Sequence, residues 1–383
     1  MFLMPESISP KNLSKLQEFG SILSNILTHS FVAQGKPFRW TIIANPGAGG
    51  FTIGKRWKNH QDAIKKILEK AQSNPVRSDA GPSICSQSLN NNPYGLVPTS
   101  GPGNASTIVE SLLQSMPEEK ATFHLIVTAG GDGTSLEVLQ VLYHAAPELL
   151  FRLAIIRLPL GTGNDGAEAR EMEDALGLLI NPTRIELSRG LKLSTAMGKT
   201  WPSGGPFLAF NILSVGLDAF VTHMTNKTKG KLPGDSYKLW VDISALLYDK
   251  IYKVDFMNVK GFDDKNTEIT GFTEKILLCA MGVSGRRTYG SQKIILPDDR
   301  NVCAIKQMPL YRKFMLKNNF SKGGHADKPE SVMFNASRIE IAGRHPILAQ
   351  MDGEAIKLEI SDFPIIIELT DPVIPVLRLT GTG

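Results

Sequence analysis

The residues with the clearest chemical capacity are a carboxylate set among glycines, Gly130-Gly131-Asp132-Gly133-Thr134. Glycine loses more backbone entropy on folding than any other residue. Three in four positions are kept where the chain needs positive φ or must approach a ligand closely. Asp132 falls where an apolar run gives way to a helix expected to open at Thr134 and Ser135, and a helix N-terminus favours an anion. A carboxylate there can receive a hydroxyl proton or hold a cation that bridges phosphates. A turn with no other duty would need only one or two glycines.

Two further loops have the same character. Asn45-Pro46-Gly47-Ala48-Gly49-Gly50 ends another apolar run, and from Gly49 through Gly54-Lys55-Arg56 it nearly spells GxxxxGK[ST]. Arg56 stands where the hydroxyl that holds Mg²⁺ belongs, so this is no P-loop. It remains a place for backbone N–H groups to meet phosphate, or a plain strand-to-helix turn. Residues 159–166 contain GxGxxG at Gly161, Gly163 and Gly166, with Glu186 20 residues further on. The dinucleotide fingerprint normally closes the first strand of its domain, whereas this loop follows the third. The better reading is a second nucleotide-facing loop in which Thr162 and Asn164 offer hydrogen bonds to ATP. Asp352-Gly353-Glu354, taken alone, reads as an acidic hairpin turn.

These loops need elements to hold them. Apolar runs at 38–44, 123–129 and 153–158 predict strands, each ending in one of the loops. Helical spacing predicts helices over 56–72, 104–113, 135–145 and 167–179. Such alternation indicates a parallel sheet covered on both faces, with its ligands at one edge. Residues 73–103, rich in Ser, Asn, Pro and Gly, are expected to form a surface insertion. Residues 1–36 read as a helical appendage. Leu13, Leu16, Phe19, Leu23, Ile26 and Leu27 recur at helical spacing, which predicts a helix docked on the domain surface. A membrane-surface helix is the lesser alternative, because only Lys11 and Lys15 enrich its polar face.

Beyond residue 182 short strand-like runs dominate, interrupted by one helix near 236–248. The fold class expected is therefore an α/β N-terminal nucleotide-binding domain with a parallel sheet, over 37–181, plus a mainly β, sandwich-like C-terminal domain over 182–383. Whether the last apolar runs return to the first domain is left open.

Composition fits this organisation. A chain of 383 residues, 42% hydrophobic and 21% charged, is ordinary for two globular domains, and collagen-like, coiled-coil and disordered classes are excluded. Lys and Arg total 42 against 37 acids, a net +5 too mild to indicate nucleic-acid binding, although a local basic patch would favour anionic partners. Cys85, Cys279 and Cys303 are far apart and odd in number, which fits a reducing compartment. No apolar run approaches the roughly 18 residues of a membrane span, and Glu6 interrupts any signal peptide. A soluble, cytoplasmic protein, peripheral at most to a membrane, is expected.

Residues 45–50, 130–134, 159–165 and 352–354 occur in the order seen in the diacylglycerol kinase catalytic superfamily, which includes sphingosine, ceramide and bacterial lipid kinases. The chain resembles that family over roughly 38–370. Val215-Gly216-Leu217-Asp218-Ala219 and Lys231-Leu232-Pro233-Gly234, through Tyr237, add to the match. The resemblance implies a nucleotide-binding domain, a β-sandwich lipid domain and a site between them. It implies ATP over Asn45, Pro46, Gly130, Gly131, Gly133, Thr134, Gly161, Thr162 and Asn164. It further implies Asp352 as the general base, Glu354 beside the phosphates and Mg²⁺, Asp132 in metal or base chemistry, and Asp218 near the acceptor headgroup.

The implied partners are a lipid substrate and a transient anionic membrane surface, with no nucleic acid. Basic stretches at 227–231 and 312–322 would suit that surface, or are simply solvated faces. A homodimer is left open. Three departures stand out. Ala48-Gly49 replaces the more usual Ser-Gly, and Tyr289-Gly290-Ser291 lacks the fuller glycine run. Arg300 stands where many bacterial members have Gly after paired aspartates, which puts a structural metal near 297–301 in doubt. Two other functions compete. An NAD kinase would usually carry an Asn-Glu pair, and that dipeptide occurs nowhere in the chain. A non-catalytic regulator would be free to lose Asp132, Asp352 or Glu354, and all are present.

Overall fold

The apolar runs become strands in the computed structural model, which describes residues 10–33, 37–73, 95–116, 121–161, 163–202, 204–228, 243, 247–290 and 293–380. The chain divides into a first unit, Met1–Ser188 with Pro372–Gly383, and a second unit, Arg189–Asp371.

In the first unit α1 (Pro10–Thr28) precedes β1 (Phe38–Ala44), the single turn α2 (Gly49–Thr52) and α3 (Gly54–Ser73). Next come β2 (Gly95–Pro98), α4 (Asn104–Ser115), β3 (Phe123–Gly130), α5 (Asp132–Tyr143), α6 (Pro147–Leu150), β4 (Leu153–Pro159), α7 (Met172–Ile180) and β5 (Thr183–Ser188). The sheet order is β2-β1-β3-β4, then the C-terminal strand Ile374–Leu379, then β5. The strands are parallel except for β5, which runs antiparallel to the C-terminal strand.

Side chains alternate across a strand. Phe38, Trp40, Ile42 and Ala44 accordingly join one core with Leu125, Val127, Ile156 and the buried faces of α1, α3 and α7. On the other face α5 packs on β3 and α4 packs on α5. Both faces are covered, so β1, β3 and β4 read as nearly continuous apolar runs.

Leu16, Phe19, Leu23, Ile26 and Leu27 of α1 are fully buried, and Phe19 meets Phe51 edge-on with ring centroids 5.4 Å apart. The helix is thus docked on the first unit by its apolar face, with its polar face exposed. Two other expectations are corrected. Residues 95–98, expected within an insertion, form β2 and pair with β1; 74–94 lie outside the described residues. Residues 183–188, expected in the β-rich domain, complete the first sheet by pairing with the C-terminal strand. In sequence they resemble a short sandwich strand, and only that distant partner fixes their place.

The second unit is a curled antiparallel sheet. Its strands are β6 (Leu191–Thr195), β7 (Phe207–Ala209), β8 (Ile212–Gly216), β9 (Phe256–Phe262), β10 (Glu268–Gly282), β11 (Arg287–Tyr289), β12 (Lys293–Leu296), β13 (Val302–Lys306), β14 (Ser331–Phe334), β15 (Arg338–Ala342), β16 (Ile347–Met351), β17 (Glu354–Leu358) and β18 (Ile365–Leu369). The order runs β17-β16-β8-β10-β9-β15-β18-β6-β7, with β13 and β14 branching from β10 and β11-β12 a separate hairpin. The 15-residue β10 joins the halves, pairing with β9 along its first part and with β8 and β13 along its second. Leu193, Val259, Ile339 and Ile367 of one half share a core with Leu213, Val302, Ile347 and Met351 of the other, as in a sandwich. On the opposite face of β8 and β16, Ile212 and Leu348 pack with Phe220 of α8 (Leu217–Thr228). The helix expected over 236–248 lies mostly outside the described residues. Among the described residues no helix is long and apolar enough to cross a membrane.

Candidate active site

Register decides what the first unit brings together. Ala44 is level with Pro98 on one side and Ala129 on the other, and Gly130 is level with Pro159. The loops after β1, β2, β3 and β4 therefore leave from one edge. The chain passes from β1 outward to β2, but from β3 outward the other way to β4, so the topological switch point lies between the ends of β1 and β3. Asn45 spans it. Its backbone N–H donates to Ala129 O at 3.0 Å and its Nδ2 donates to Thr134 Oγ1 at 3.3 Å. Its Oδ1 accepts the Gly47 N–H at 2.9 Å, which folds the first glycine loop back over the strand end.

Asp132 is the first residue of α5, where the unpaired N–H groups of a helix start favour negative charge. Glycine is required around it. A Cβ on Gly161 would lie 2.6 Å from Gly131 Cα, so the second and third loops can touch only as glycines. A Cβ on Gly163 would lie 2.7 Å from Asp132 Oδ2 and 3.0 Å from Asp165 Oδ2. Two carboxylates thus flank one point. Asn164 adopts φ 57°, a left-handed conformation that asparagine tolerates. The third loop is anchored behind by Glu168, whose side chain is fully buried. It accepts Arg157 Nε at 2.9 Å and the Arg157 backbone N–H at 2.6 Å. Pro46 is buried beside Asn45, Gly133 lies in the first turn of α5, and Thr162 lies outside the described residues.

Two features of this edge escaped the sequence reading. One is Asp165, hidden inside a motif read for its glycines. The other is the loop between β2 and α4. Thr99 N–H donates to Ala44 O at 2.8 Å, and Glu137 of α5 accepts the N–H groups of Gly103 and Ala105 at 2.8 and 3.0 Å. Gly101-Pro102-Gly103 ahead of a helix was its available signal.

In the second unit Asp352 and Gly353 form the two-residue tip of the β16–β17 hairpin, where Met351 pairs with Glu354. Their φ values, 45° and 98°, are both positive, as a type I′ turn requires. The Asp352 carboxylate accepts backbone N–H groups from three successive residues. These are Phe210, in a short contact, Asn211 at 3.1 Å and Ile212 at 3.0 Å. An ionised carboxylate only accepts, and its hydrogen bonds are the stronger charge-assisted kind. The side chain is thereby fixed against β8.

Asp218, in the first turn of α8, takes the Ser214 hydroxyl at 2.7 Å. Gln350, fully buried in the otherwise apolar β16, donates from Nε2 to Ser214 Oγ at 2.9 Å and to Asp218 Oδ2 at 3.4 Å. Its Oε1 accepts the Gly353 N–H at 3.1 Å. One polar chain, Asp218–Ser214–Gln350–Gly353, thus leads from the acceptor candidate to the turn carrying Asp352. Asn226 Nδ2 holds Gly353 O at 2.9 Å from the far end of α8. Glu354, the exposed first residue of β17, completes the group.

The donor sets discriminate between two metals. Asp132 and Asp165 fit Mg²⁺, which is commonly held by one or two carboxylates together with substrate phosphates. The aspartates at 298–299 do not fit a structural cation. Arg300 Nε lies 3.0 Å from Asp298 Oδ1, and this guanidinium holds the Asp298 carboxyl below its ordinary range. Asp299 is taken by Arg286 at 2.7 Å. No cluster of three or more metal-ligating side chains occurs among the described residues.

Residues 39–183 match the family model described as the diacylglycerol kinase catalytic domain. No curated protein matches the sequence. Three solved structures of Bacillus anthracis str. Sterne proteins, assigned as diacylglycerol kinases, share the fold. The first superposes with a TM-score of 0.53 at 15% identity over 90% of this chain and 98% of that one. The second gives 0.51 at 14% identity over 90% and 98%. The third gives 0.51 at 16% identity over 88% and 96%. The matched domain is a kinase module, and it contains the glycine loops and Asp132, so the chain is a phosphotransferase. Residues 39–183 thus match a diacylglycerol kinase catalytic domain, and the three solved structures share the fold of the chain.

Proposed function

We propose that the protein is an ATP-dependent lipid kinase that transfers the γ-phosphoryl group of ATP to a hydroxyl of a diacylglycerol-like or sphingoid acceptor. The observation that carries this reading is the Asp352 carboxylate, fixed by three backbone donors at the tip of a positive-φ hairpin. Its hydrogen bonds suit an oriented, ionised base, and a hairpin tip with no further duty needs no such clamp.

In this reading the N–H groups of the loops after β1, β3 and β4 take the phosphates of ATP, Asp132 and Asp165 are the metal-facing carboxylates of the first unit, and Glu354 is the second unit's candidate carboxylate for the phosphates and metal. Mg²⁺, when bound, neutralises phosphate charge. Asp218 orients the acceptor headgroup. Asp352 takes the hydroxyl proton as the lipid oxygen forms its bond to Pγ. The bond from Pγ to the bridging oxygen breaks, and ADP leaves with its electron pair. Phosphoryl transfer needs positioning, charge neutralisation and one proton acceptor, and little covalent work by the protein.

The test is transfer of radiolabelled phosphate from ATP-Mg²⁺ to an extracted lipid mixture by wild type and Asp352→Asn. A labelled lipid is expected with wild type. The variant should lose about 10²–10⁴-fold in rate, the usual worth of a general base. Its amide turns a donor toward a backbone N–H, which costs about 1–3 kcal/mol of stability, so the rate is read on the folded, ATP-binding variant. Absence of any labelled lipid from a folded, ATP-binding wild type would sink the reading.

A further inference from the structure

The helix Leu310–Lys322 is inside out for an element that only has to be stable. It buries a lysine: Lys313 is 6% exposed, with Nζ 2.6 Å from Asp249 Oδ2. It turns outward Leu310, Tyr311, Phe314 and Met315, which are 45, 67, 47 and 66% exposed. Those four positions fall at i, i+1, i+4 and i+5, so they form one stripe along the helix. Leu316, one residue further on, enters the core with Met308. Isolated exposed apolar residues are ordinary, but a contiguous stripe of them marks an interaction surface. Asp249 also accepts Gln307 Nε2 at 2.8 Å. It thus ties the start of this helix to a neighbouring helical stretch, 247–251, whose Ile251 is 58% exposed.

Charge indicates what covers the stripe. Residues 310–322 contain four cations, Arg312, Lys313, Lys317 and Lys322, and no acid. Arg312 is held by Glu330 at 2.6 Å and Lys313 by Asp249, while Lys322 and Lys250 are exposed. A second copy of the same helix would bring cation against cation. An aromatic and aliphatic stripe bordered by lysines is the pattern of a segment that lies in the interface of an anionic bilayer.

We propose that the Leu310–Met315 face docks the protein on an anionic phospholipid bilayer. The purpose of this surface rests on the lipid-kinase reading, since the acceptor resides in such a bilayer; the docking itself does not. Apolar side chains enter the interfacial layer and the lysines meet lipid phosphates, so attachment is reversible and weakens with salt.

The test is co-sedimentation of the full chain with vesicles of phosphatidylcholine alone and of phosphatidylcholine mixed with phosphatidylserine. Alongside it run Phe314→Glu/Met315→Glu and Lys322→Glu variants, and transfer to a detergent-solubilised lipid acceptor. Wild type should partition onto the anionic vesicles only, more weakly in high salt. The double variant should partition at least about tenfold less, and Lys322→Glu several-fold less. Thermal midpoints and transfer to the detergent-solubilised acceptor should be unchanged. Equal binding by the double variant, or no binding of wild type to anionic vesicles, overturns the proposal. A wild-type dimer that Phe314→Glu/Met315→Glu converts to monomer also overturns it, because a second copy then covers the face. Vesicle binding without transfer to any lipid leaves the docking surface standing and refutes the lipid-kinase reading instead.

Discussion

Gln350 shows what a single side chain can do inside an apolar strand. A fully buried amide costs free energy unless both its ends are paired, and both are paired here, one through Ser214 toward Asp218 and the other to the Gly353 N–H. Gln350→Leu should destabilise the second unit by about 1–3 kcal/mol, the cost of leaving such partners unsatisfied. It should also raise the acceptor KM or lower kcat while leaving the KM for ATP unchanged. Urea denaturation and steady-state kinetics check the two halves separately; a rise in the ATP KM alone would contradict the placement of the chain. The legibility of the site at this scale is uneven for a physical reason. Gly161 is forced by a close backbone approach to Gly131, and Gly163 and Gly130 by the side chains of Asp132, Asp165 and Thr134, so they mark the sequence at fixed spacings. Gln350 is fixed by partners far away in sequence, and one glutamine in an apolar run carries no spacing to read. Asp165 lay in plain view, yet its role depends on Gly163 letting two carboxylates meet one point.

Elements decide whether such residues stay where they are needed. The loop after β4 is held by the buried Arg157–Glu168 pair, with side chains 8 and 0% exposed. Glu168→Gln leaves a guanidinium in the interior without its anion. Breaking a buried pair from one side costs about 3–5 kcal/mol, so the denaturation midpoint of the first unit should fall clearly. ATP titration of the folded variant should show weaker binding, because the third loop loses its anchor; unaltered affinity and stability would mean that the loop is held by other contacts. The strands β1, β3 and β4 were readable because burial on both faces makes them continuous apolar runs. β2 was not, since four residues flanked by glycine and proline give neither a period nor an apolar run. The amphipathic stripe of α1 was readable as a helix, but periodicity names a buried face without naming what covers it.

At the scale of the molecule, the first unit carries a built-in acid sensitivity. His124 lies in β3, where burial first, and then the charges of Arg152 and Arg39, lower its pKa to about 4. The unfolded chain has an ordinary histidine near 6.5, so between those values it binds the extra proton that the native state refuses. Stability of the first unit is therefore complete above about pH 6.5 and falls as the pH drops toward 4. Denaturation midpoints at pH 7 and pH 5 should show the loss, and His124→Leu should flatten it; an equal slope in the variant would assign the effect to other groups. The two-unit organisation was legible from the change in texture near residue 182. The exact partition was not, because β5 and the strand Ile374–Leu379 find each other only across the whole second unit. That pairing bears on biosynthesis. β1 to β5 are translated before the second unit, yet β4 and β5 stay unjoined until residues 374–379 emerge, after all of the second unit has been made. Until then the nascent chain presents unpaired strand edges that invite wrong pairings, and the loop to be closed is long. The sheet begun before the second unit is completed only after it.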